Sequence, residues 1–134
     1  MKYLILALLF VSYPLSSQNI IKLTDLVFPV QVWGLATTVT VAVNDAGAAT
    51  FTATGIAGRT AFVRVTTNSV NITNGGGGVN NRITINNFTV NNQNPVFNAL
   101  GQINNIRVGA RATITASKKE GEYSGSATLR LTYL

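Results

Sequence analysis

The sequence predicts an all-β fold, an antiparallel β-sandwich of about eight short strands behind an N-terminal leader. Three observations carry this. After residue 17 apolar residues recur at spacing two, with frequent Val and Thr and no 3.6-residue periodicity. Turn clusters interrupt the pattern every eight to twelve residues or so. The segment Tyr123–Leu134 alternates strictly, with Tyr123, Gly125, Ala127, Leu129, Leu131 and Tyr133 on one side and Ser124, Ser126, Thr128, Arg130 and Thr132 on the other. Uneven turns and one long loop favour a sandwich over a barrel, and no 20–50-residue repeat points to a solenoid.

Lys2 followed by the apolar run Tyr3–Val11 and the small residues Ser12, Ser16 and Ser17 has the layout of a secretory signal. The run is shorter than the roughly 20 residues a bilayer span needs. We expect residues 1–17 to be removed, with Ser17–Gln18 as a plausible cut; the alternative is an uncleaved anchor. What remains, residues 18–134, is about 117 residues and fits a single domain. It has no Cys, so packing and strand pairing must hold it without disulfides. No later segment resembles a transmembrane helix, so no membrane span is expected in the mature chain.

Ile20–Phe28 reads as the first strand, stopping at Pro29. Thr37–Val43 follows, with Val39, Val41 and Val43 on one face. Asn44–Gly47 is a turn in which Asp45 caps the backbone. Ala49–Thr54 is a strand, and Gly55–Gly58 turns the chain. Thr60–Thr66 and Ser69–Thr73 are next. The run Gly75–Gly78 excludes a regular element over 74–78. Arg82–Val90 resumes alternation, and Asn86-Asn87 shifts its phase as a β-bulge does, so that Phe88 and Val90 join Ile83 and Ile85 on the inner face. Asn91–Asn98 reads as a polar loop. Ile106–Thr115 is a strand with Arg107 and Arg111 outward, and Ser117–Glu122 is expected to form a hairpin into the last strand.

The chain has 10 Lys and Arg against 4 Asp and Glu, and no His. The cations are dispersed and no aromatic residues interleave with a basic run, which argues against nucleic-acid binding. Without His or Cys, the usual general base, thiolate nucleophile and commonest metal ligands are missing. Asp25, Asp45, Glu120 and Glu122 are the only carboxylates. Glu120 and Glu122, beside Lys118 and Lys119, read as a solvated turn rather than a catalytic pair. The glycine run lacks the Lys-Ser/Thr and helix of a phosphate-binding loop. Trp33, the single Trp, reads as a core or rim residue. The expectation is a non-enzyme with no cofactor and no metal.

Several segments resemble a family of secreted bacterial β-sandwich domains of unknown function. Thr52-Ala53-Thr54-Gly55-Ile56-Ala57-Gly58-Arg59-Thr60 is similar to its V-T-G-x-x-G-x-x-Y turn, and Ser69–Gly77 to V-x-L-T-N-G-G-G. Ile83–Phe88 is similar to M-x-V-x-N-F, while Val108–Ile114 and Gly121–Tyr133 resemble the closing pair of strands. The chain departs at Leu26-Val27-Phe28-Pro29, where L-x-F-G is usual, and in carrying its aromatic at Phe62. The terminal pattern with a penultimate Tyr is also similar to chaperone–usher-type fimbrial subunits, although the commonest of those carry a disulfide. That resemblance implies an immunoglobulin-like sandwich exported through the periplasm to the bacterial surface. It also implies a periplasmic chaperone and copies of itself or related subunits as partners. In that picture residues 18–28 are an exchangeable N-terminal strand, with Ile20, Ile21, Leu23 and Leu26 entering a neighbour's groove. The alternative is a monomeric binding module for an envelope glycan or protein. Its first strand would then pair in its own sandwich, and its loops Asn74–Asn81 and Asn91–Asn98 would make the contacts.

Overall fold

A computed structural model describes residues 3–14 and 19–134, with side chains described for 4–10 and 19–134. The expected cut at Ser17–Gln18 lies outside the described residues. Ten strands form in chain order: β1 Tyr3–Pro14, β2 Asn19–Thr24, β3 Leu26–Val32, β4 Thr37–Val41, β5 Ala49–Thr54, β6 Ala61–Val65, β7 Ser69–Thr73, β8 Arg82–Val90, β9 Gln102–Ile114 and β10 Gly121–Tyr133. They hydrogen-bond into a mixed sheet of order β2-β5-β9-β8-β7-β10-β1-β3, with β4 also on β9 and β6 also on β10.

The sheet curls around one apolar core. The ring of Phe10 on β1 stands edge-on to Phe51 of β5 at 5.6 Å and to Phe88 of β8 at 6.3 Å, so the first strand faces the opposite side of the fold. Phe51, Val63, Ile72, Ile83, Ile85, Val108, Leu129 and Leu131 are all fully buried in the same cluster.

β5, β7 and β8 coincide with their sequence boundaries. The bulge in β8 is present: Asn86 opposes Arg111 but Thr89 opposes Gly109, and Asn87 takes φ 52°. The extra residue turns Phe88 and Val90 partly into the core. Gly109 is required where β4 runs over β9, because a Cβ there would lie 2.2 Å from the Val41 carbonyl oxygen. At the 44–47 turn, the Ala42 N–H donates to Asp45 Oδ2 at 2.8 Å. Arg107 donates from Nε to the Val43 carbonyl and from its terminal nitrogen to the Asp45 carbonyl.

Five expectations are corrected. The sheet is not wholly antiparallel, because β1 runs parallel to β10; nor are there eight strands, since the N-terminal strand β1 and a split first strand bring the number among the described residues to ten. The expected first strand divides at Asp25: β2 pairs with β5, and β3 pairs with β1. β3 then runs through Pro29, which is tolerated because the β1–β3 register slips there and β3 has a ladder on one side only. β9 and β10 are not a hairpin. β9 pairs with β4, β5 and β8, whereas β10 pairs with β1, β6 and β7, so residues 115–120 carry the chain across the fold.

The loop 91–98 is more than a connector. The Ala61 and Val63 N–H groups donate to the Pro95 and Gln93 carbonyls, so this loop lies along the outer edge of β6. It also sets Phe97 into the core at 1% exposure.

Candidate interaction site

The N-terminal segment, which the sequence reads as a leader, is the most unexpected part of the fold. Residues 4–10 occupy a slot between β3 and β10, paired in parallel with β10 from Leu4↔Gly121 to Phe10↔Ala127 and antiparallel with β3 through Leu6↔Phe28 and Leu8↔Leu26. Leu4, Leu6, Leu8 and Phe10 are buried at 4% exposure or less, while Ile5 and Leu9 are 42% and 46% exposed. The slot therefore accepts four apolar side chains at alternate positions. Burying such side chains stabilises by about 1.5–3 kcal/mol each, so the four together reach the size of a small domain's net stability of about 5–15 kcal/mol. Among the described residues, β1 is also the only strand to which β3 is paired.

The outer side of this region is apolar as well. Val27 and Val30 of β3 are 44% and 54% exposed beside Ile5 and Leu9. A continuous apolar run such as Leu4–Phe10 is what a parallel strand covered on both faces carries, but here its outer face stays half-exposed.

The terminal strand is held quite differently. Tyr123, Ala127, Leu129 and Leu131 are buried, while Gly125 and Tyr133 are partly buried. At its start, the Tyr123 hydroxyl donates to the Lys119 carbonyl, with the Asn80 carbonyl at 3.3 Å and the Asn74 amide nitrogen at 3.5 Å. Burial pushes the Tyr123 phenol above its ordinary value. The same cluster orders the glycine loop: Asn74 Nδ2 donates to Asn81 Oδ1 at 2.9 Å, Asn81 Nδ2 to the Gly77 carbonyl at 2.6 Å, and Lys118 Nζ to the Val79 carbonyl at 2.7 Å.

At the other end of β10 the Tyr133 hydroxyl accepts the Ile56 N–H at 2.9 Å. Its ring meets Phe97 edge-on at 5.8 Å, and the Arg59 guanidinium lies 4.5 Å above it. Gly55 makes room, since a Cβ there would be 2.7 Å from Phe97 and 2.8 Å from the Tyr133 oxygen. The penultimate tyrosine thus clamps the 55–58 turn, the 91–98 loop and β10 together.

The segment expected to enter a neighbour lies in its own sheet. Ile20 is buried and pairs with Ala53, and Leu26 is fully buried on β3. Ile21 and Leu23 are exposed at 51% and 58%. Lys22 and Asp25 pair at 2.7 Å beside the break between β2 and β3. Trp33, just past β3, is 45% exposed, a rim residue. Glu120 and Glu122 are exposed, and among the described residues no group of three metal-ligating side chains comes together. Among the same residues, no helix is long and apolar enough to cross a membrane.

Two open clefts flank the β8 bulge. One, of about 330 Å³, is lined by Arg64, Asn68, Asn87 and Gln93 among others. The second, of about 440 Å³, lies between β4 and β8 against Val41, Val43, Val90 and Ala110.

Fold and slot together define a class: an all-β domain, a mixed sheet of ten strands whose N-terminal strand fills a gap beside the C-terminal one. Residues 30–133 match a family described as a domain of unknown function, DUF4402, and the chain belongs to that family. No curated protein matches the chain. The matched segment starts within β3 and leaves β1 and β2 outside.

Proposed function

We propose that this protein is a secreted, non-enzymatic structural or adhesive subunit of a bacterial surface, fimbrial-like in build and completed by strand addition. The observation that carries the reading is the slot between β3 and β10. It is filled by residues 4–10, which the sequence marks as part of a leader removed on export. A domain that buries a leader strand in its core has, once that strand is gone, an apolar gap and two strand edges to satisfy. Main-chain pairing with a donated strand satisfies both, with alternate side chains setting the register. On this reading the curled sheet is an immunoglobulin-like sandwich, and export runs through the periplasm in the company of a chaperone. The non-enzymatic reading is supported by a sequence without His or Cys and with four carboxylates, of which Glu120 and Glu122 are exposed where β10 begins.

The direct test is to export the full-length protein from a bacterial host and examine the processed form by size-exclusion chromatography and electron microscopy. Oligomers or fibres, with a second exported protein co-purifying as strand donor, are expected, and a processed protein that is monomeric and partner-free at every concentration would contradict the subunit role.

A second reading, a monomeric binding module for an envelope glycan or protein, is favoured by one observation: β2 completes its own sheet on β5. Its contact surface would be the cleft at Arg64, Asn68, Asn87 and Gln93, where guanidinium and amide groups match the hydrogen-bonding needs of a sugar. Glycan-array binding lost in Asn68→Ala but kept by leader-deleted protein would favour it.

A further inference from the structure

We propose that the leader strand is a placeholder. The slot between β3 and β10 is a strand-acceptor groove that, once residues 1–17 are removed, takes an extended segment of a different protein. That segment runs parallel to β10 and carries apolar side chains at four alternate positions. The inference rests on the export and strand-addition reading above, and adds the polarity, the register and the source of the donor.

The strand that occupies the groove in this structure defines what fits. Its pairing with β10 is parallel over Leu4–Pro14. Its four inward side chains, Leu4, Leu6, Leu8 and Phe10, are all buried, whereas Ile5 and Leu9 face outward and are half-exposed. Residues 4–10 have no polar side chain, so the groove holds them by the backbone ladder and apolar contact alone. Such a groove reads a pattern rather than one sequence, and another strand with the same pattern replaces the leader without new chemistry.

The source follows from charge. A second copy's N-terminal segment is the obvious donor, but neither phase of it fits four apolar pockets. One phase presents Ile20, Lys22, Thr24 and Leu26; the other presents Ile21, Leu23, Asp25 and Val27. Each phase places a charged side chain inside the core with no partner, which is strongly unfavourable. The segment is also engaged in its own chain, through β2 on β5 and Leu26 in the core. Independently, the family match begins at Val30, so the unit that defines the family does not include the strand filling its groove.

The test uses the full-length chain with a specific protease sequence in place of residues 15–18. The probe is a labelled synthetic peptide of residues 3–14, followed by fluorescence anisotropy and by emission of Trp33, which sits at the end of β3. Uncut protein should take up no peptide, and cut protein should exchange its leader for the probe one-to-one. A Leu6→Asp/Leu8→Asp probe should bind at least roughly a hundred-fold more weakly, while an Ile5→Asp probe should bind within about ten-fold of the parent. If the cut protein aggregates, excess probe present during the cut should keep it soluble, and failure to do so overturns the proposal. The proposal is also overturned if the cut protein sheds its leader, stays folded and binds nothing, because β3 has then closed onto β10. It is equally overturned if a peptide of residues 18–28 exchanges as well as the leader does, since the donor is then a second copy. Probe uptake by a protein that forms no fibres on export keeps the groove and removes the subunit role; fibres without uptake do the reverse.

Discussion

β1 and β10 lie side by side in the sheet and bury similar apolar faces, yet they are secured by opposite means. β10 has antiparallel ladders to β6 and β7, a polar outer face, and a tyrosine at each end, Tyr123 hydrogen-bonded to the Lys119 carbonyl with that of Asn80 close by and Tyr133 to the Ile56 N–H. β1 has an apolar outer face through residue 10, backbone pairing and buried leucines, and no side-chain polar group over residues 4–10. The difference teaches that β10 is specified by its sequence partners, whereas β1 is held by features that any strand with the same alternation supplies. On the proposed reading, a domain built this way has one permanent strand and one exchangeable one beside it.

That contrast can be broken most sharply inside β1. In the full-length protein, Leu6→Asp/Leu8→Asp should remove most or all of the folding free energy, because it buries two unpaired charges. Ile5→Asp/Leu9→Asp, on the outward face of the same strand, should change it by less than about 1 kcal/mol. Urea denaturation of both compares them directly. In β10 a single truncation, Leu129→Ala, should destabilise by about 2–5 kcal/mol.

The tyrosine clamps come next. Tyr133→Ala should lower the urea midpoint by the equivalent of about 2–3 kcal/mol, losing the Phe97 and Arg59 contacts. Tyr133→Phe should lower it by only about 1 kcal/mol, for the hydrogen bond from Ile56.

Tyr123 adds a pH signature. Its phenol is raised by burial, so the folded state favours the neutral form. Its contribution is therefore complete below the ordinary phenol value of about 10 and lost as pH rises through the folded value. Thermal melts should show stability falling above about pH 10, with a smaller fall in Tyr123→Phe, which should cost about 1–2 kcal/mol at neutral pH. The smallest effect should come from Lys22→Ala: the pair with Asp25 is only partly covered, with the two side chains 33% and 30% exposed, and should be worth about 1 kcal/mol or less, weakened by added salt.

Much of the sheet was legible in the sequence because local period and turn chemistry set it. The alternation of Tyr123–Tyr133 placed every inward residue of β10, and Asn86-Asn87 marked the bulge in β8. The partners of β10 were not legible: Ser117–Glu122 has turn composition and reads as a hairpin, but β10 pairs instead with β6, β7 and β1, which lie far away in the sequence. The split at Asp25 was hidden because Ile20–Phe28 reads as one strand while its halves join different neighbours. β1 was unreadable as a strand because Ile5, Ala7 and Leu9 are as apolar as Leu4, Leu6 and Leu8, which erases the period-two signal and leaves the pattern of a leader. The clamp at Tyr133 depends on Gly55, Arg59 and Phe97, which no spacing rule links to it.

The central claim is that β3 and β10 are the two walls of a groove that residues 4–10 fill. Amide hydrogen exchange of the full-length chain, before and after cutting between residues 14 and 19 and washing out the leader, tests it most directly. The account predicts that protection is lost along β3, whose ladder is to β1, and kept along β5 and β9 in the same sheet. Restoring the leader peptide should bring β3 protection back. Protection of β3 and β10 that survives leader removal unchanged would contradict it.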